Sequence, residues 1–239
     1  MRTLESDVEV TVSYLTLDAA EIVATIERLR RRIEERFPGS GLGRVCGQLL
    51  DTARLGTERA AAIARPIRSI RIATAALAIM LMVGIVLIVT TLRPRMGEFE
   101  LGQFMQALEA TLNAPVLIGA AIFFLVTIET RIKRRRAIRA LHELRAIAHI
   151  IDMHQLTKDP ERAIGHSPTP ASPTRELSTV DLGRYLDYCS EMLSLTGKVA
   201  ALYVQGFDDG VALQAVNEIE DLTTGLSQKI WQKMMILVG

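Results

Sequence analysis

Two long apolar stretches dominate the pattern of hydrophobic and polar positions along the chain. Residues Ile72 to Leu92 contain no charged side chain, and an arginine flanks them at each end. About 20 apolar residues in a helix rise roughly 30 Å, the thickness of the hydrocarbon core of a bilayer. A second apolar run extends from Ala110 to Ile128. The pattern therefore predicts two transmembrane helices, over residues 72–92 and 114–132.

The second span is less regular than the first. Asn113 is a suitable cap and Pro115 suits a first helical turn, so we expect a helix to begin there. It must extend through Ile132 to cross a bilayer, which favours a position of Glu129 at the level of the lipid headgroups. A buried carboxylate in an ion pathway is the alternative. Before the second span, the loop 93–113 has apolar residues on one helical face, which predicts a short amphipathic helix that lies on the outer leaflet or packs on the spans. These residues are Leu101, Phe104, Met105, Leu108 and Leu112.

Basic residues near the ends of the two spans predict the orientation in the membrane. Five arginines lie between Arg54 and Arg71, whereas the loop 93–113 has only Arg93 and Arg95. Because lysine and arginine favour the cytoplasmic side, we expect a multi-pass protein of the plasma (inner) membrane with both termini cytoplasmic. A basic cluster follows the second span and is expected to contact anionic lipid headgroups. A specific lipid or nucleotide site is the alternative. The cluster comprises Arg131, Lys133, Arg134, Arg135, Arg136 and Arg139.

Helical periodicity also marks the remaining, cytoplasmic segments. The N-terminal arm, residues 1–71, contains one helix that begins near Thr16 or Asp18 and ends before Pro38, and a second that Pro66 interrupts. Residues 133–156 continue the second span as a helix. A proline-rich linker, 157–176, precedes a helical hairpin, 177–239, whose first helix has heptad spacing. We therefore predict an all-α fold, a membrane helical hairpin with a cytoplasmic helical bundle that forms coiled-coil contacts and homo-oligomers.

Composition narrows the function classes. The net charge of +1 over 239 residues gives no basic footprint for nucleic-acid binding. The start of the chain lacks the apolar segment of a signal peptide, so the first span is expected to act as an anchor. The two cysteines, Cys46 and Cys189, are not spaced as a metal or redox pair and are expected to be reduced and partly buried. No phosphate-binding loop or nucleophile motif occurs, and no cofactor is expected.

One helical face after the second span carries residues with possible site chemistry. His142, Arg145, His149 and Asp152 share this face, and His154 follows closely. His149, Asp152 and His154 are candidate metal ligands, which would need a further ligand such as His166 or Asp187. The alternatives are a polar face that hydrogen-bonds neighbouring helices, and a histidine-based response to pH.

These observations favour a non-enzymatic membrane scaffold or signalling protein. Its cytoplasmic helices would oligomerise or recruit a soluble protein, and membrane lipid would be a further partner. An oligomeric pore is the alternative, although the spans contain few polar residues. A metal-dependent membrane enzyme is the third hypothesis.

Overall fold

The computed structural model describes residues 16–92, 101–158 and 177–238, and these residues form helices without a strand. This confirms the prediction of an all-α fold. Sequence predictions for residues 1–15, 93–100 and 159–176, including His166, lie outside the described residues. The helices are α1 (Ala19–Arg36), α2 (Gly41–Ala64), α3 (Arg68–Leu92), α4 (Leu101–Leu156), α5 (Thr179–Ala201) and α6 (Gly210–Val238).

Local chemistry sets several helix ends where the sequence predicted them. Asp18 caps α1, since its side chain accepts hydrogen bonds from the backbone N–H groups of Ala20 and Glu21. The turn after α1 contains Gly39, whose φ of +67° favours glycine. Helices α2 and α3 are separate on either side of Pro66, which lacks a backbone N–H. Ser178 caps α5 through the N–H of Asp181.

Helix α4 differs from the prediction for this part of the chain. It runs from Leu101 to Leu156 in 56 residues, with no break at Asn113 or Pro115. The sequence predicted a separate amphipathic helix followed by a new helix at this point. A proline inside a helix removes one N–H bond but keeps a helical φ, so a long helix can continue through it.

The chain divides into two compact units, and the larger one is a helical bundle. It comprises the described residues up to Ala64 and those from Arg134 onward. Within it, α1 runs antiparallel to α5, as the contact of Arg36 with Asp181 and that of Leu17 with Gln205 require. The bundle part of α4 runs parallel to α6. Its core is a single cluster whose largest fully buried side chains include Ile26, Leu29, Ile33, Leu42, Leu49, Leu144, Ile151, Leu186, Met192 and Tyr203.

The smaller unit, residues 65–133, contains α3 and the first part of α4. Among the described residues, one helical stretch, Gly41–Gly84, includes a segment long and apolar enough to cross a membrane, and none of that segment is buried. Large apolar side chains of α3 are exposed in consequence, with exposed fractions of 64–69% at Ile79, Met80 and Met82.

Candidate functional site

Polar side chains join α4 to its neighbours at one end of the bundle. The turn between α5 and α6 lies there beside the end of α2, since a Cβ on Gly206 would lie 2.7 Å from the Cβ of Ala64. Arg134, the first bundle residue of α4, reaches the same turn through Asp209. We call this the exit end of the bundle, because the chain leaves the bundle after Ala64 and re-enters it at Arg134.

Asp209 organises the turn at the exit end. Its side chain is 3% exposed and lies 2.7 Å from the Arg134 guanidinium, measured from Oδ2 to Nη2. The same carboxylate accepts a hydrogen bond from the backbone N–H of Ala212 and thereby caps α6. The hydrogen bonds that Arg134 donates, more than any other contact, hold the pKa of Asp209 below its usual value.

The residues of the predicted basic cluster lie in four environments. Arg131 and Lys133 belong to the smaller unit, where the Lys133 Nζ lies 3.1 Å from Glu129 Oε1. Arg134 is paired with Asp209, and Arg135 is exposed. The last two members, Arg136 and Arg139, line a cavity between α2 and α4.

Glu129 has a further contact within the smaller unit. Its carboxylate accepts a hydrogen bond from the backbone N–H of Ile67, at 3.1 Å, just before α3 begins. An acidic side chain stabilises the start of a helix because the first N–H groups lack partners there. The Glu129 carboxylate therefore contacts Lys133 of its own helix and the backbone N–H of Ile67, just before α3.

The cavity beside α4 is lined by three arginines, Arg59, Arg136 and Arg139, and has a volume of about 280 Å³. Glu143 also lines it and accepts a hydrogen bond from Arg59 Nη1 at 2.7 Å. Ile63, which is 1% exposed, contributes an apolar surface to the cavity. We call this set of residues the three-arginine cavity.

The histidines and the aspartate that the sequence placed on one helical face all lie on α4. His142 lines a different cavity, together with Arg145, and His149 is exposed. Asp152 accepts a hydrogen bond from Gln155 Nε2 at 2.6 Å. Among the described residues, no group of three histidine, cysteine, aspartate or glutamate side chains is arranged to hold a metal ion.

His154 instead packs where α4 ends. Its Nδ1 lies 3.4 Å from the hydroxyl of Tyr185 on α5. Burial lowers the pKa of His154, and the nearby charges of Lys158 and Arg44 lower it further. The imidazole is therefore held in its neutral form near pH 7, as part of the packing between helices.

A lysine from α6 bonds backbone carbonyl groups at the same end of α4. Lys233 Nζ, from α6, donates hydrogen bonds to the backbone carbonyls of Gln155 and Lys158. A cation at this position satisfies carbonyl groups that a helix terminus leaves without partners. The arrangement stabilises the end of α4.

Sequence reasoning missed Arg59, Glu143 and Lys233, because their partners are far away along the chain. A local signal existed for Asp209, which immediately precedes Gly210 at the start of α6 and is a preferred helix-capping residue type.

Comparison of this chain with protein-family models, with curated proteins and with solved structures finds no match.

Proposed function

We propose that this protein is a membrane-anchored, non-enzymatic interaction protein. Its two apolar spans would cross the plasma membrane with both termini in the cytoplasm. Its helical bundle would form homo-oligomers and present a surface to a soluble partner. The observation that carries the proposal is the exposed apolar surface of α3, next in the chain to a bundle with a complete core of its own.

The exposure of α3 supports an anchor because apolar side chains favour leaving water. Burying each large side chain stabilises by roughly 1.5–3 kcal/mol, so a helix with many of them is stable only inside a bilayer or a protein interface. The flanking residues Arg68 and Arg71 suit the headgroup region at the cytoplasmic end. The bundle does not need α3 for its core, since its buried apolar residues lie on α1, α2, α4, α5 and α6 and in the turn between α5 and α6.

Exposed apolar side chains at the bundle end opposite the exit end support an interaction role. Trp231 and Met235, one turn apart on α6, are 62% and 53% exposed. At the same end of the bundle, Val180 of α5 is 68% exposed and lines a groove together with Met234 and Leu237 of α6. Large aromatic and methionine side chains are enriched in protein interfaces. We assign this apolar end surface, formed by these five residues, to contact with a second copy of the chain.

Membrane integration is tested by washing membranes with alkaline carbonate after expression of the full chain. The wild-type chain should remain in the membrane pellet. Replacing Ile79 and Val83 with arginine should lower the fraction that stays in the pellet, because each central arginine costs about 2.5–3.5 kcal/mol on insertion of the first span. Leu213→Arg, an exposed position of α6, is the matched control and should stay in the pellet. Release of the wild-type chain by carbonate would contradict the anchor.

Topology and oligomeric state have their own tests. Fluorescent protein fused to either terminus should fluoresce, and alkaline phosphatase inserted between the spans should be active.

In detergent, mass photometry should show a discrete oligomer that Trp231→Glu dissociates and Leu213→Glu leaves intact. A strict monomer contradicts self-association. Stepwise conductance of the reconstituted protein in planar bilayers contradicts a scaffold and favours a pore.

A further inference from the structure

The three-arginine cavity carries more positive charge than the bundle neutralises. Glu143 pairs with Arg59, so these two charges offset each other. Within the part of the chain that the structure describes, Arg136 and Arg139 have no carboxylate partner. Arg136 and Arg139 therefore line the same cavity without a counter-charge of their own, and an excess of positive charge attracts an anion.

The volume and the lining residues of the cavity indicate which kind of anion it would bind. Guanidinium groups present planar pairs of N–H donors that match the oxygens of a phosphate. A volume of about 280 Å³ is close to the lower limit of ligand pockets, which start at roughly 300 Å³, so it suits a headgroup rather than a large ligand. The apolar side of the cavity, formed by Ala62, Ile63 and Ala140, lies beside the arginines. The cavity therefore offers donors for a phosphate and an apolar surface for carbon atoms next to it.

The position of the arginines along the chain indicates where such a phosphate would come from. Arg136 and Arg139 follow Ile132, the last residue of the proposed second span, by only four and seven residues. The cavity belongs to the exit end of the bundle, where the chain passes to and from the apolar segments. Under the proposed membrane anchorage, on which this step rests, the nearest abundant phosphates are those of lipid headgroups.

We propose that Arg136 and Arg139, with Arg59 held in place by Glu143, bind the phosphate of an anionic lipid headgroup. Binding of a lipid in this cavity depends on the arginines that line it, whereas the general attraction of basic residues to a membrane does not. Arg135 lies between Arg134 and Arg136 in the same cluster but does not line the cavity. It supplies a control with the same charge and almost the same position in the chain.

The test uses the full chain in neutral detergent and follows the melting of the helices by circular dichroism. Short-chain phosphatidylglycerol is titrated, with phosphatidylcholine of the same chain length and inorganic phosphate as separate arms. A ligand that binds the folded state raises the melting temperature according to its concentration relative to Kd. Phosphatidylglycerol should raise it for the wild type and for Arg135→Gln. Arg136→Gln and Arg139→Gln should each need at least tenfold more lipid for the same shift.

Each outcome decides the proposal. The proposed site is refuted if the three substitutions weaken lipid binding equally, or if phosphatidylglycerol does not change the melting temperature. If inorganic phosphate raises the melting temperature as much as phosphatidylglycerol does, the cavity binds a soluble phosphate and the lipid proposal is refuted. Melting without ligand shows whether a variant is folded, and native mass spectrometry of the wild type should show a retained lipid. The carbonate wash tests the membrane anchor independently. If carbonate releases the chain but phosphatidylglycerol still raises its melting temperature through Arg136 and Arg139, the anchor is refuted and the lipid site is supported.

Discussion

Replacing Leu144 with alanine should destabilise the whole bundle, because this residue ties α4 to the core. Leu144 is fully buried, with an exposed fraction of 0%. The change removes three buried carbon atoms at about 0.8 kcal/mol each, or about 2.4 kcal/mol for transfer alone. The cavity that remains adds to this, and measured leucine-to-alanine changes in cores cost about 2–5 kcal/mol. We expect a loss of about 3 kcal/mol.

Urea unfolding of the full chain in detergent, followed by circular dichroism at 222 nm, measures this loss. In a thermal experiment it corresponds to a fall of roughly 9 °C, at about 3 °C per kcal/mol. Met153→Ala on the same helix is the matched control, because Met153 is 67% exposed and should change stability by less than about 0.5 kcal/mol. Equal stabilities of the two variants would refute the assignment of α4 to the bundle core.

Three further predictions concern the turn at the exit end and the thiols. The lowered pKa of Asp209 means that its charge stabilises the fold above its usual pKa of 3.8 and is lost as pH falls through the lowered value. Asp209→Asn should therefore lower the urea midpoint at pH 7, and the difference from wild type should narrow between pH 4 and pH 2; a constant difference contradicts the ionised carboxylate. Gly206→Ala should cost about 1–3 kcal/mol because its Cβ would overlap a neighbour, whereas Gly210→Ala, with open space around it, should be neutral or slightly stabilising in the same unfolding assay. Burial raises the pKa of Cys46 and Cys189 to about 12, so both thiols should react with a maleimide only after denaturation, and rapid labelling of the native chain contradicts their burial.

Helix positions and ends were largely predictable from the sequence because their causes are local. Asp18 and Ser178 cap helices through N–H groups no more than three residues away, and Pro66 interrupts a helix by its own covalent structure. The 3.6-residue period of apolar side chains marked the faces that are buried on α1, such as Ile26 and Ile33. The predicted start of a helix at Asn113 and Pro115 was wrong, because α4 continues through both residues.

The candidate sites were less predictable because they depend on how helices meet. His149 and Asp152 were candidate metal ligands because they are one turn apart, but spacing along one helix does not show which residues of other helices lie beside them. Among the described residues, no third possible ligand completes a metal-binding group with them. The basic cluster looked uniform, yet Asp209 takes one arginine and α2 contributes Arg59 to a cavity with two others. No spacing along the chain encodes a partner that lies 75 or 84 residues away.

The sequence by itself determined that this chain is helical and that one segment has the length and apolarity of a membrane span. Those properties follow from the order of side chains along one helix. Only the tertiary structure decided which charges are neutralised and which remain to meet a ligand. Charges interact through space over a few ångströms, so Arg136 and Arg139 acquired their significance only when α2 and α4 were packed together.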